Sequence, residues 1–228
     1  MVEIKLGILD YSLSPSKIVC LLRNYAEHAR EMADEVPIKP SFFLKPPSSL
    51  VGENGEIVIP ECVEDLHHEV ELAVIIGRKG RNIPKDDAME HVKGFALMLD
   101  ITARDIQSEA KKKGLPWTEA KGYDTFSPIG PTALPREDFD YRNKRIWLSV
   151  NGDMRQDGNT DQMVFTPEHL ISAISSVMTL EEDDIIMTGT PAGVGPLEDG
   201  DVVEAGIEGL CRMKIGVVSE ERFHRYQM

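Results

Sequence analysis

Apolar and polar positions along the chain follow two periods, and the period of two dominates. Residues 3–9 alternate and predict an opening strand. Between 16 and 33 the pattern is mixed: Ile18-Val19-Cys20 reads as a strand, and residues 25–32 read as a helix with alanines between charges. Residues 41–45 form a short buried-type strand ended by Pro46-Pro47. Turn residues at 52–55 lead into Ile57-Val58-Ile59, and the most convincing strand covers 69–76, closed by Gly77. Another runs through 95–99 and ends at Asp100, and a helix is expected over 103–113, stopped by Gly114 and Pro116. Residues 147–150 followed by Asn151-Gly152 predict a hairpin. Thr166 as N-cap and Pro167 at the first helical position then open a helix through Leu170, Ile171, Ile174 and Val177. Residues 185–187, 202–203 and 213–218 supply the last strands. Strands outnumber helices, which predicts a mostly-β, α+β fold. With no repeat, low-complexity tract or long linker, the chain reads as one domain over 1–228.

Composition narrows the class of partner. The 228 residues are 41% hydrophobic and 28% charged, which suits a globular core. A net charge of −14 repels phosphate backbones and anionic membranes, so neither nucleic acid nor membrane is expected as a partner. An enzyme of anionic substrates would then need a local cation inside an acidic shell. Cys20, Cys62 and Cys211 are scattered, as reduced thiols in a cytoplasm would be. No apolar run approaches a membrane span and no signal peptide is evident, so a cytoplasmic location is expected.

Candidate chemistry gathers on the strand at 69–76. Glu69 and Glu71 share one face, and so do Ala73 and Ile75, so this face is not simply solvated. Paired carboxylates are tolerated in solvent or around a cation. Asp100 follows five apolar residues and precedes Ile101, an interior setting in which a carboxylate needs a counter-charge or a metal. Three carboxylates and no thiol suit Mg²⁺ or Mn²⁺ rather than structural zinc. His67 and His68 lack matching ligand spacing and read as supporting residues. His28 and Glu31 are three apart, either a general-base dyad or an ordinary surface pair. Lys121 lies in a stretch broken by Gly114 and Pro116 and reads as a loop residue. The glycine-rich segment 189–195 is not a phosphate loop, though it would let backbone approach a ligand and Thr190 offers a hydroxyl. The acidic run 181–184 reads as an exposed turn.

Several separated motifs, in this order, resemble the fumarylacetoacetate hydrolase superfamily and its small acylpyruvase-like members. They are Arg23-Asn24-Tyr25 with His28 and Glu31; Phe43-Leu44-Lys45-Pro46; His67-His68-Glu69-Val70-Glu71-Leu72; Asp100-Ile101-Thr102-Ala103-Arg104-Asp105; Lys113-Gly114-Leu115-Pro116-Trp117 with Lys121; and Thr188-Gly189-Thr190-Pro191 with Gly193-Val194-Gly195. The resemblance implies a mixed β-sheet roll with peripheral helices, usually in homodimers. It also implies Glu69, Glu71 and Asp100 as ligands of Mg²⁺ or Mn²⁺, with His28 and Glu31 as the water-activating base. Lys121 would act in catalysis, and Arg23, Gln107 and Thr190 would line the substrate. The implied reaction is carbon–carbon cleavage of a 3-acylpyruvate to release pyruvate. Decarboxylation or tautomerisation of oxaloacetate, or isomerisation of an unsaturated 2-oxo dicarboxylate, are alternatives on the same motifs. A non-catalytic metal-binding dimerisation domain would need only the three carboxylates. Leu21-Leu22 and residues 123–127 depart from the pattern and leave the distal substrate group open.

Overall fold

A computed structural model describes residues 1–31, 36–221 and 223. Its centre is a mixed eight-stranded sheet. In spatial order the strands are Leu9–Leu13, Val2–Leu6, Thr132–Pro135, Val92–Leu99, Val70–Ile76, Ile185–Met187, Ile18–Leu21 and Phe42–Lys45. The antiparallel pair Val70–Ile76 and Val92–Leu99 forms the middle, with Val70 opposite Leu99 and Glu71 opposite Met98.

Both faces of that pair are buried, which explains their nearly unbroken apolar runs. Val70, Leu72, Val74, Phe95, Leu97 and Leu99 pack into one core with Ile146, Leu148, Val203 and Ala205. Those last four belong to a five-stranded sheet ordered Asp153–Asn159, Arg145–Val150, Val202–Ile207, Cys211–Ser219 and Glu56–Ile59. Leu170, Ile171 and Ile174 of the helix Pro167–Val177 close the same core. Ala73, Ile75, Ala96, Met98 and Met187 face the other way, into a smaller cluster with Ile4, Leu13 and Ile18. Leu72 is wholly buried, and truncating such a side chain to Ala costs about 2–5 kcal/mol. The outcome is the mostly-β, α+β fold that the residue pattern predicts, arranged as the mixed-sheet roll with peripheral helices that the resemblance implies.

Several boundaries differ for physical reasons. The alternation at 3–9 hides a hairpin, Val2–Leu6 with Leu9–Leu13, because Gly7 turns at φ 62 and leaves apolar Ile8 exposed at the tip. The N-terminal helix is Ala26–Glu31, since Tyr25 makes an isolated bridge to Met163; Met32 and Ala33 lie outside the described residues. The helix Arg104–Lys113 ends where Gly114, at φ 65, donates to the carbonyls of Ala110 and Lys111. Asn151 and Gly152 both take positive φ, as a tight hairpin turn requires. Thr166 occupies the N-cap position but makes no side-chain cap bond. The acidic run is not simply exposed: Asp184 is fully buried, accepting from the Ser16 hydroxyl and the Ser16, Lys17 and Glu181 amides and pairing with Lys17. Among the described residues no helix is long and apolar enough to cross a membrane.

Candidate active site

The central ladder builds the acidic cluster. One step beyond the Val70–Leu99 pair, the Asp100 N–H donates to the Glu69 carbonyl at 2.8 Å. Register therefore places Glu69 across from Asp100, and strand alternation returns Glu71 to the Glu69 face. One carboxylate oxygen from each residue lies within 4.8 Å of the others, and all three residues are buried.

Three cations meet them. Lys121 is buried at the end of a short helix, Thr118–Lys121, and not in a solvated loop. Its Nζ lies 3.0 Å from Glu69 Oε2 and 2.6 Å from Asp100 Oδ2. Lys45 donates to Asp100 Oδ1 at 2.6 Å, the Phe126 carbonyl at 2.5 Å and the Ile101 carbonyl at 3.2 Å. Arg104 pairs with Glu69 and donates to Gln107 Oε1 at 2.6 Å. Glu71 accepts the Gly189 N–H at 2.6 Å.

Ionisation follows from this arrangement. Burial opposes the charge on Glu69, but Lys121 and then Arg104 outweigh it and hold the carboxyl well below the usual range. Burial would discharge Lys121, and Asp100 and Glu69 reverse that and raise its pKa. Burial, Asp100 and Glu69 push Glu71 well above the usual range. Lys45, Lys121 and Arg104 pair with Asp100 and Glu69, and the Glu71 carboxylate is the one its surroundings disfavour. An all-oxygen donor set with one poorly compensated carboxylate fits a hard divalent cation.

The cluster floors a cleft of about 450 Å³, its open mouth included. His28, Arg23, Gln107, Lys121 and Thr190 all line it beside the three carboxylates, and Glu31 reaches it through His28. His28 Nδ1 lies 3.1 Å from Glu31 Oε2, and Glu31 accepts the Gly193 N–H at 3.0 Å. Arg23 sits at φ 55, a conformation costly for a non-glycine residue. Buried Asn24 fixes the chain there, donating to the Phe165 and Thr188 carbonyls at 2.8 and 2.7 Å and accepting the Phe165 N–H at 2.7 Å. In the cleft wall Trp117 meets Phe43 edge-on at 5.6 Å, with Leu21 and Leu22 also lining the cleft. The Thr190 hydroxyl is engaged by the scaffold: it donates to the Val70 carbonyl and accepts from Gln156, each at 2.8 Å.

Sequence reasoning named no role for Lys45 or Arg104. A lysine directly after Phe42-Phe43-Leu44 and before Pro46 is the signal for the first, because a charge in an apolar run needs a partner. Nothing local marks Arg104, which reaches Glu69 only through the fold. His67 bonds Asp65 at 2.9 Å, and burial, then Arg104, lowers its pKa. Burial pushes His68 down to about 4.

A profile described as Fumarylacetoacetate (FAA) hydrolase C-terminal matches residues 17–218. The chain belongs to the fumarylacetoacetate hydrolase family. It is 54% identical to the mitochondrial oxaloacetate decarboxylase of Dictyostelium discoideum, over 90% of this chain and 95% of that protein. It is 47% identical to the human mitochondrial oxaloacetate tautomerase FAHD1, over 90% of this chain and 92% of that one. Among solved structures, fumarylpyruvate hydrolase from Pseudomonas aeruginosa in complex with Mn²⁺ and pyruvate superposes with a TM-score of 0.91. That neighbour is 35% identical, and 96% of each chain is covered.

Proposed function

We propose that the chain is a divalent-metal-dependent enzyme of small 2-oxo acids, with enolisation or decarboxylation of oxaloacetate as its reaction. The observation that carries this reading is the buried ammonium of Lys121 held between Glu69 and Asp100. A fixed cation beside an oxygen-rich metal pocket is placed to stabilise an enolate oxygen. The decarboxylase and tautomerase relatives lend support to oxaloacetate.

Glu69, Glu71 and Asp100 would hold Mg²⁺ or Mn²⁺, which supplies Lewis acidity to the 2-oxo and carboxylate oxygens. Arg104 and Gln107 would orient the substrate, and Lys121 would donate to the oxygen at C2. In decarboxylation the C3–C4 bond breaks, CO₂ leaves, and the electron pair moves through C2–C3 onto that oxygen. In tautomerisation a C3 proton leaves instead, and the His28 imidazole, oriented by Glu31, would carry it. Leu21, Leu22, Phe43 and Trp117 would limit water in the cleft.

The His28–Glu31 pair also favours a second reading, hydrolysis of a 3-acylpyruvate. There His28 would take a proton from water, which attacks the distal carbonyl; the carbon–carbon bond then breaks to a carboxylic acid and the pyruvate enolate, which would regain a proton at C3 from the His28 imidazolium. The test is turnover with Mg²⁺ or Mn²⁺ on oxaloacetate and acetylpyruvate, with an EDTA control. Enol-to-keto exchange of oxaloacetate, or its loss as CO₂, faster than in a protein-free blank with the same ion supports the first reading, and pyruvate release from acetylpyruvate alone supports the second. Silence on both overturns the pair. The reading carries a homodimer as its assembly, measurable by light scattering.

A further inference from the structure

We infer that Gln156, from the other sheet, is a positioning residue that sets the metal-ligand strand and the loop bracing Glu71 and Glu31. This rests on the reading of Glu69, Glu71 and Asp100 as a metal centre.

Gln156 lies in the strand Asp153–Asn159, fully buried between exposed Arg155 and Asp157. A glutamine amide offers two N–H donors and one oxygen with two lone pairs, and all four sites are used. Nε2 donates to Thr190 Oγ1 and to the Pro191 carbonyl, each at 2.8 Å. Oε1 accepts the Val70 N–H at 3.0 Å and His68 Nδ1 at 3.1 Å. The Pro191 carbonyl can only accept and the Val70 N–H can only donate, so the amide has one orientation. That orientation also places the His68 proton on Nδ1.

These partners belong to two segments that serve the site. His68 and Val70 flank Glu69, and Val70 precedes Glu71. Thr190 and Pro191 lie between Gly189, whose N–H bonds Glu71, and Gly193, whose N–H bonds Glu31. Thr190 completes the circuit by donating to the Val70 carbonyl. Backbone packing repeats the arrangement. A Cβ on Gly193 would meet the Arg155 carbonyl at 2.1 Å, and one on Gly158 would meet Pro191 Cβ at 2.7 Å. The strand Asp153–Asn159 is thus a cradle for the loop, with Gln156 as its polar fastening. Losing the amide removes a common anchor of a metal ligand and of the base's orienting carboxylate.

Gln156→Met retains most of the volume and removes the four bonds. Mn²⁺ affinity, followed by the spin resonance of the free ion, is expected to weaken about 10–100-fold. At saturating Mn²⁺, kcat on oxaloacetate should fall more than KM changes. A residue that merely fills space would lower the melting temperature and leave Mn²⁺ affinity and kcat alone. A folded Gln156→Met variant within about twofold of wild type in both overturns the inference. If that variant does not fold, two measurements decide: Mn²⁺ affinity of Gln156→Asn, and the Gln156 side-chain amide resonances of the wild-type chain on Mg²⁺ addition. Weakened binding or a shift supports the role, and wild-type affinity with unmoved resonances overturns it. Wild-type protein that binds no Mn²⁺ would instead remove the metal centre itself, so the two failures are distinguishable.

Discussion

Lys45→Met isolates one buried charge. The lysine is 1% exposed, and its ammonium contacts Asp100 Oδ1 at 2.6 Å and the Phe126 and Ile101 carbonyls at 2.5 and 3.2 Å. Methionine keeps much of the stem and removes the charge, so Asp100, itself 1% exposed, loses a counter-ion and two carbonyls lose a donor. Removing one partner of a buried pair costs about 3–5 kcal/mol when the other charge is left alone; Lys121 still pairs Asp100 at 2.6 Å, so the lower end, about 3 kcal/mol, applies. For a chain of this length each kcal/mol moves Tm by about 2–4 °C, so a fall of roughly 6–12 °C is expected in EDTA. The same melt with Mg²⁺ should show a smaller deficit, because a bound cation restores charge beside Asp100. Lys113→Met, which breaks an exposed pair with Glu109, is the control and should leave Tm nearly unmoved. Lys45→Met melting with wild type in EDTA would refute the claim that Lys45 neutralises Asp100.

The remaining tests address the cluster and the dyad. Glu71→Gln should abolish Mn²⁺ binding and turnover, and full turnover under added Mg²⁺ would remove Glu71 from the ligands. Because the surroundings raise the Glu71 pKa, a proton competes with the ion, and below that pKa affinity should fall about tenfold per pH unit; pH-independent binding on the acid side would contradict the raised pKa. His28→Ala should lose acetylpyruvate hydrolysis and slow tautomerisation by about 10²–10⁴-fold while CO₂ release from oxaloacetate persists; unchanged hydrolysis would take the dyad out of the mechanism. Pyruvate binding, measured calorimetrically, should require Mg²⁺ or Mn²⁺, and equal affinity in EDTA would show that the cluster's own cations suffice.

What the sequence revealed of the fold tracks how strongly burial shaped each segment. Val70–Ile76 and Val92–Leu99 are buried on both faces, so their apolar runs are unmistakable. Asp153–Asn159 carries almost no apolar pattern, because backbone pairing to Arg145–Val150 holds it and most of its side chains reach solvent. Only the Asn151-Gly152 turn announced it. Thr132–Pro135 is short and joins Val2–Leu6 to Val92–Leu99 from a distance that no local period encodes. The position of Gln156 against the strand that carries Glu71 was hidden for the same reason: it depends on how two sheets stack.

Charge explains why the site could be read at all. A carboxylate among apolar residues stands out, as Glu71 and Asp100 do, and so does the lysine after Phe42-Phe43-Leu44. Arg104 and Lys121 lie in polar segments where a cation carries no such signal. Lys45, Lys121 and Arg104 match the three carboxylates in number, so the ion-free cluster is formally neutral only with Glu71 ionised, the form its burial disfavours. A divalent cation held there would displace the Glu71 proton and leave one more positive charge on the cleft floor, so ion and a dianion such as oxaloacetate would favour each other's binding.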